Sequence, residues 1–355
     1  MVTLYVASTA EFAGKTSLSI ALGKHLQREG YAVGYMRPIT TRVRRVDDPA
    51  VAYDAEFVRH ELALDETLEE IVPIALTPEL VEGALREGET AGFRARLRAA
   101  YERVAEAKDV VILEGASNCL EGALLDLSSP QVAELLDARV LVVIKYDDHL
   151  AIDTAAGLRL TYGDRLVGVV VNAVPRTSMH FVQVATPALE QRGIPVLGVL
   201  PEDRLLSSIS VSELAKHIDG KVVCCEDQLE GLVEYLMVGA MTAGSALAYF
   251  RRRPNKAVIT GGDRHDVQLA ALETSTRCLI LTGNHYPSTV VLNRAKEVEV
   301  PIMVVEPDTL TVVRAIERIF GNTFVREPKK SARFGSILEE RFDFTRLYHS
   351  LGLEA

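Results

Sequence analysis

The sequence predicts an α/β protein: a doubly wound, mostly parallel sheet followed by a second, smaller α/β domain. Three observations carry that expectation. Short runs rich in Val, Ile and Leu alternate with longer stretches of helical periodicity. The runs are nearly continuous in apolar residues, as strands covered by helices on both faces must be. The alternation lapses over residues 203–215 and then resumes on a smaller scale. A chain of 355 residues is comfortable for two domains, and 48% hydrophobic with 25% charged residues suffices for a full core.

Taken in order, "TLYVAS" is the first strand and residues 15–29 the first helix. "AVGYMRP" follows as a strand, then a helix over 91–107 and the strand "DVVILEG". "RVLVVIK", a helix over 151–162, "LVGVVVNAV", a helix over 180–192 and "PVLGVLP" complete a first domain spanning residues 1–205. The second domain, residues 206–325, opens with the strand "KVVCC" and a helix over 227–241. "KAVIT", the helix "HDVQLAAL", "CLILTG", a helix over 288–298, "PIMVVE" and a helix over 309–320 continue it. Residues 326–355 form a charged helical tail, with Lys329, Lys330 and Arg333 ahead of the amphipathic stretch "SILEERFDFTRLYHSL".

A formal net charge of −10 argues against a general nucleic-acid binder, which needs Lys and Arg for phosphates. The run Arg251-Arg252-Arg253 reads as a solvated loop. The four cysteines show no zinc spacing, and the histidines are scattered, so free thiols in a reducing compartment are expected. With no basic leader and no apolar run of bilayer length, the expectation is a soluble cytoplasmic protein without membrane contact.

The chemistry concentrates in "TAEFAGKTSL", residues 9–18. Gly14-Lys15-Thr16 closes a phosphate-binding loop, although the usual first glycine is replaced by Thr9. A strand before it and a helix after it would let the amides around Ala13, Gly14 and Ser17 cradle phosphates. Lys15 would meet the β/γ oxygens, and the Thr16 hydroxyl would ligate Mg²⁺. An acid is wanted nearby, and Glu114 stands at the end of an apolar strand, where open parallel sheets bind their ligands.

These motifs resemble the dethiobiotin synthetase group of P-loop proteins, and with it the P-loop NTPase-like fold. The likeness rests on Gly14-Lys15-Thr16, Arg37-Pro38, Asp54-Ala55, Glu114-Gly115-Ala116, Asn172 in "VVVNAVP" and the run Pro195 to Pro201. It implies that Thr16, Asp54 and Glu114 hold Mg²⁺ and that ATP or ADP is bound. It also implies that Asn172 faces the adenine ring, beside a loop around Pro201. From the residues alone, Asn172 reads equally well as a strand-ending turn. The group has a lysine where Arg37 stands. An arginine clamps an anion but does not release a proton at neutral pH. "EGAGG" has become "EGASN".

In the second domain, a strand enters Gly261-Gly262, and Asp263 or Asp266 is expected to cap the helix that follows. With Arg264, that turn offers a small anion or nucleotide pocket. "VITGGDRHDVQLAALE", "CLILTG" and "VPIMVVEPDTLTVV" resemble the DRTGG domain, a regulatory module. The order of the two domains resembles the N-terminal region of long bacterial phosphotransacetylases. The chain stops at Ala355, leaving no room for their acetyl-transferring domain, so a phosphotransacetylase by itself is not expected. The resemblance implies a nucleotide-binding regulator with a small anionic effector at Gly261, Gly262, Asp263 and Arg264, and a homodimer. The alternative is an ATP-dependent carboxylase or amide synthase of the dethiobiotin synthetase or cobyrinate a,c-diamide synthase type, with at most weak NTPase or ligase activity.

Overall fold

A computed structural model describes residues 1–40, 49–87, 91–320 and 327–354. The chain divides into two compact units. One runs Met1–Glu202 and takes in the C-terminal helices, and the other begins at Asp203.

The first unit contains β1 (Val2–Ser8), α1 (Lys15–Arg28), β2 (Val33–Met36), β3 (Ile39–Thr40), α2 (Pro49–Glu61), α3 (Leu68–Ile71), β4 (Ile74–Ala75), α4 (Pro78–Glu87) and α5 (Ala91–Val104). There follow β5 (Val110–Glu114), α6 (Ser129–Leu135), β6 (Arg139–Lys145), α7 (Leu150–Tyr162), β7 (Leu166–Val174), α8 (Met179–Gln191) and β8 (Val196–Pro201). Six strands form one sheet in the order β2-β5-β1-β6-β7-β8, and every pairing in it is parallel. The six strands expected from apolar runs are all present, because a central strand buried on both faces has no polar alternation to lose. Tyr5, Ala7, Val111, Leu113, Val140 and Val142 from the three central strands share one core beneath the helices. The structure adds α2, α3 and α4 between residues 49 and 87, where no element was expected.

The second unit holds β9 (Ile209–Ser210), α9 (Val211–His217), β10 (Lys221–Cys224), β11 (Leu232–Val233), β12 (Tyr235–Val238), α10 (Ala243–Phe250), β13 (Lys256–Gly261) and α11 (His265–Leu272). β14 (Thr276–Thr282), α12 (Thr289–Glu297), β15 (Ile302–Val304) and α13 (Thr309–Glu317) complete it. Its sheet has the order β10-β15-β14-β13-β12, parallel except for the β10–β15 pair. The helix expected over 227–241 is not there. That segment forms β11 and β12 instead, and β12 pairs with β13 as the edge of the sheet. Leu229, Val233, Leu236 and Met237 mimic helical spacing, but Gly231 interrupts the turn and pairing with β13 outweighs the local preference.

The C-terminal residues form α14 (Pro328–Arg341) and α15 (Phe344–Leu351), and they are more than a tail. α14 buries Phe334, Ile337 and Leu338 and packs on α1 and β8. His25 of α1 stacks on Phe344 at 3.7 Å between ring centroids, and its Nδ1 lies 2.9 Å from Glu339 Oε1. The amphipathic pattern here faces the first unit's own surface.

Candidate functional site

β1 delivers the chain to a loop that ends at Gly14 and starts α1 at Lys15. Gly14 has φ 103°, a left-handed conformation, and a Cβ there would lie 2.5 Å from Asn172 Nδ2. The torsion is what calls for glycine, and a Cβ would in addition push the Asn172 amide aside. No side chain caps α1, and the first amides of any α-helix lack intrahelical acceptors, which gives its N-terminus the local chemistry an anion could use.

Lys15 is buried, and its Nζ donates to Ser8 Oγ at 2.6 Å. Ser8 Oγ in turn donates to the carbonyls of Ala10 and Ser117. The lysine is thus held by the end of β1 and by the turn after β5.

Glu114 is the centre of the arrangement, only 2% exposed at the end of β5. Thr16 Oγ1 donates to its Oε1 at 2.7 Å, Arg37 Nη2 reaches the same oxygen at 2.5 Å, and Tyr35 OH donates to Oε2 at 2.7 Å. Burial by itself would raise the carboxyl pKa. Arg37, the two hydroxyl donors and Lys15 outweigh it and hold the group below the usual carboxylate range. Burial likewise works against the Arg37 charge, but Glu114, Tyr35 and the nearby Asp54 keep the guanidinium protonated. Burial and the Glu114 charge push the Tyr35 hydroxyl well up, so it stays a donor.

Of the residues singled out in the sequence, Ala13, Gly14, Lys15, Thr16, Ser17, Arg37, Asp54, Glu114 and Asn172 meet around this loop. Ala13 and Ser17 are buried, and Asp54, on α2, is buried with its charge felt at Arg37. Asn172 Nδ2 donates to Ala13 O at 2.8 Å, so its amide is engaged by the loop itself. Pro201 ends β8 at the same edge of the sheet, in register with Val174. Sequence reasoning missed Ser8 and Tyr35, since nothing in a lone Ser or Tyr inside an apolar run marks it as a partner of a buried charge. It also missed Phe334, whose ring lies 3.9 Å from where a Gly14 Cβ would be. "EGASN" is a hydrogen-bonded turn: Asn118 Oδ1 accepts from the amides of Leu120 and Glu121, and the Ser117 amide donates to Glu121.

In the second unit, Gly262 is needed for space alone, because a Cβ would stand 2.3 Å from His285 O. The expected acidic cap of α11 is corrected. Arg264 is the N-cap residue, with no side-chain capping bond from Asp263 or Asp266. Asp263 folds back over Gly261, where a Cβ would lie 2.5 Å from its Oδ1. Arg264 Nη2 donates to Met241 O at 2.8 Å, and Gln268 Nε2 donates to the carbonyls of Gly261 and Gly262. A separate cleft of about 510 Å³, unseen in the sequence, is lined by Tyr235, Leu236, Met237, Tyr249, Arg252 and Arg253. The Arg253 guanidinium lies 4.8 Å from the Tyr235 ring centroid. Burial pushes the Cys278 thiol up to about 12, which removes it as a nucleophile at neutral pH. Among the described residues, no helix is long and apolar enough to cross a membrane.

The family model described as an AAA domain matches residues 2–210, and the DRTGG domain model matches residues 213–319. A phosphate acetyltransferase of Nitrosomonas europaea is 24% identical over 283 residues, covering 76% of this chain and 39% of that protein. The chain thus spans about two fifths of that relative. The ATP-dependent dethiobiotin synthetase of Methanococcus vannielii is 26% identical over 210 residues, 57% of this chain and 94% of the synthetase. The resemblances to the dethiobiotin synthetase group, to the DRTGG domain and to part of the phosphotransacetylases are all borne out. Among solved structures, the regulatory region of Clostridium perfringens pyrophosphatase, with CBS and DRTGG domains and its activator diadenosine tetraphosphate, overlaps 39% of this chain and 69% of that one. It does so at 22% identity and a TM-score of 0.29, too slight a likeness to build on.

Proposed function

The chain belongs to the AAA domain family, and on that premise we propose that it is a nucleotide-binding regulatory protein, the counterpart of the N-terminal part of phosphate acetyltransferases. The observation that carries this is the loop itself. Gly14 takes the left-handed turn, α1 has no side-chain cap, and Lys15 is held by Ser8 near Thr16, which donates to the buried Glu114. ATP or ADP would set its phosphates on the α1 amides and Lys15, with Asn172 and Pro201 toward the base. Calorimetric titration tests it. Lys15→Ala should weaken ADP binding by roughly 10- to 100-fold, the worth of a hydrogen bond from a charged group. Equal affinity in variant and parent would refute the assignment.

The Mg²⁺ implied by the resemblance would need Thr16, Asp54 and Glu114 as its donor set. The Thr16–Glu114 pair is formed, but Glu114 Oε1 already carries the Arg37 guanidinium. The residues as arranged do not fit a divalent ion bound directly to Glu114. In the second unit, the Gly261-Gly262-Asp263-Arg264 turn is proposed to take a small anionic effector. Arg264→Ala should then abolish any effector-induced change in nucleotide affinity, leaving the basal affinity intact. A homodimer is proposed from the family likeness, and light scattering of the full chain decides it.

A second reading has one observation in its favour, the match to nearly the full length of a dethiobiotin synthetase. Arg37 weighs against it, because a partly buried guanidinium paired to Glu114 does not exchange a proton. Formation of dethiobiotin from diaminopelargonic acid, CO₂ and ATP would establish the catalytic reading in place of the regulatory one.

A further inference from the structure

The cluster around Glu114 already contains a cation. The Arg37 guanidinium, 12% exposed, lies on Glu114 Oε1 at 2.5 Å and is also held by the charge of Asp54. Those are the two acids that a divalent ion would use. The remaining Glu114 oxygen is taken by Tyr35, and the carboxylate is 2% exposed. An ion entering here would have to displace the guanidinium from its carboxylate and then sit beside a positive charge that cannot be titrated away. Guanidinium also presents a planar fork of donors suited to phosphate oxygens, so one group can bridge the carboxylate and a bound anion.

We propose that Arg37 takes the part of the divalent cation in this cleft, so that nucleoside di- and triphosphates bind without Mg²⁺. Lys15 and Arg37 supply the positive charge on the two sides of the phosphates, and Glu114 serves to fix Arg37 and Thr16. This rests on the nucleotide-binding reading above and sharpens it to a metal-independent site.

The test is a calorimetric titration of the full chain with ADP and with ATP, in excess EDTA and again in excess Mg²⁺. The parent is expected to bind each nucleotide within about twofold of the same Kd in both conditions, while Arg37→Ala loses about tenfold or more in EDTA and recovers part of it with Mg²⁺. Electron paramagnetic resonance supplies a readout that does not depend on a variant folding. The signal of free Mn²⁺ should stay unchanged when parent protein is added at a concentration above that of the ion. A parent that loses about tenfold or more of its affinity in EDTA, or that quenches the Mn²⁺ signal, overturns the proposal while leaving nucleotide binding in place. No binding of either nucleotide in either condition overturns the nucleotide-binding reading, and the proposal with it.

Discussion

Replacing Glu114 by Gln isolates what the buried charge contributes. The amide has the same size, and its carbonyl can still accept from Thr16 and Arg37. Its NH₂ would face Tyr35 OH, which can turn to accept. The change therefore removes a charge and few contacts. It leaves the Arg37 guanidinium, 12% exposed, without the carboxylate that balances it. Breaking a buried pair from one side costs about 3–5 kcal/mol. Asp54 still acts on Arg37, so the lower end, about 3 kcal/mol, is expected. Hydrogen exchange read by mass spectrometry on peptides covering β5 suits a chain of two units, because it reports the first unit alone. A loss of 3 kcal/mol would appear as roughly 150-fold faster exchange where opening is global. The double variant Glu114→Gln/Arg37→Met should lose less than the sum of the two single variants by about 1 kcal/mol or more. Losses that add to within about 0.5 kcal/mol, or a Glu114→Gln loss below about 1 kcal/mol, would refute the view of this pair as a coupled buried unit.

Three further outcomes follow from the same geometry. Because the folded Glu114 carboxyl is held below its ordinary value, its contribution is complete above the unfolded carboxylate pKa of about 4.3 and fades as pH falls through the lower folded value. The stability gap between parent and Glu114→Gln should accordingly narrow in urea titrations carried from pH 7 down toward pH 3. Phe334→Ala removes a ring that is 2% exposed, and should cost about 3–5 kcal/mol and speed hydrogen exchange in α1 as well as α14. Gly262→Ala puts a methyl 2.3 Å from His285 O, and the backbone shift it forces should cost about 1–3 kcal/mol, read as a lower melting temperature.

Much of the fold and part of the site are legible along the chain. A central strand buried on both faces writes itself as an unbroken apolar run, which is why all six strands of the first sheet stand out in the sequence. The Gly14-Lys15-Thr16 triplet is legible too, since a left-handed turn, a long cation and a hydroxyl at consecutive positions answer one local need. The segment 227–241 has an apolar spacing that suits either period, and only the partner strand β13 decides between helix and strand. The C-terminal helices show their amphipathic stripe in the sequence, but α1 as their partner lies some 300 positions away, with His25 beside Glu339. The same distance hides the meaning of Arg37. In the sequence it is an anion clamp ahead of Pro38, and in the fold it neutralises Glu114, 77 residues further on. Residue type and local period set what each segment can form. Which charge is buried against which is settled by the order in which parallel strands assemble, because that order, unlike periodicity, has no expression in neighbouring residues.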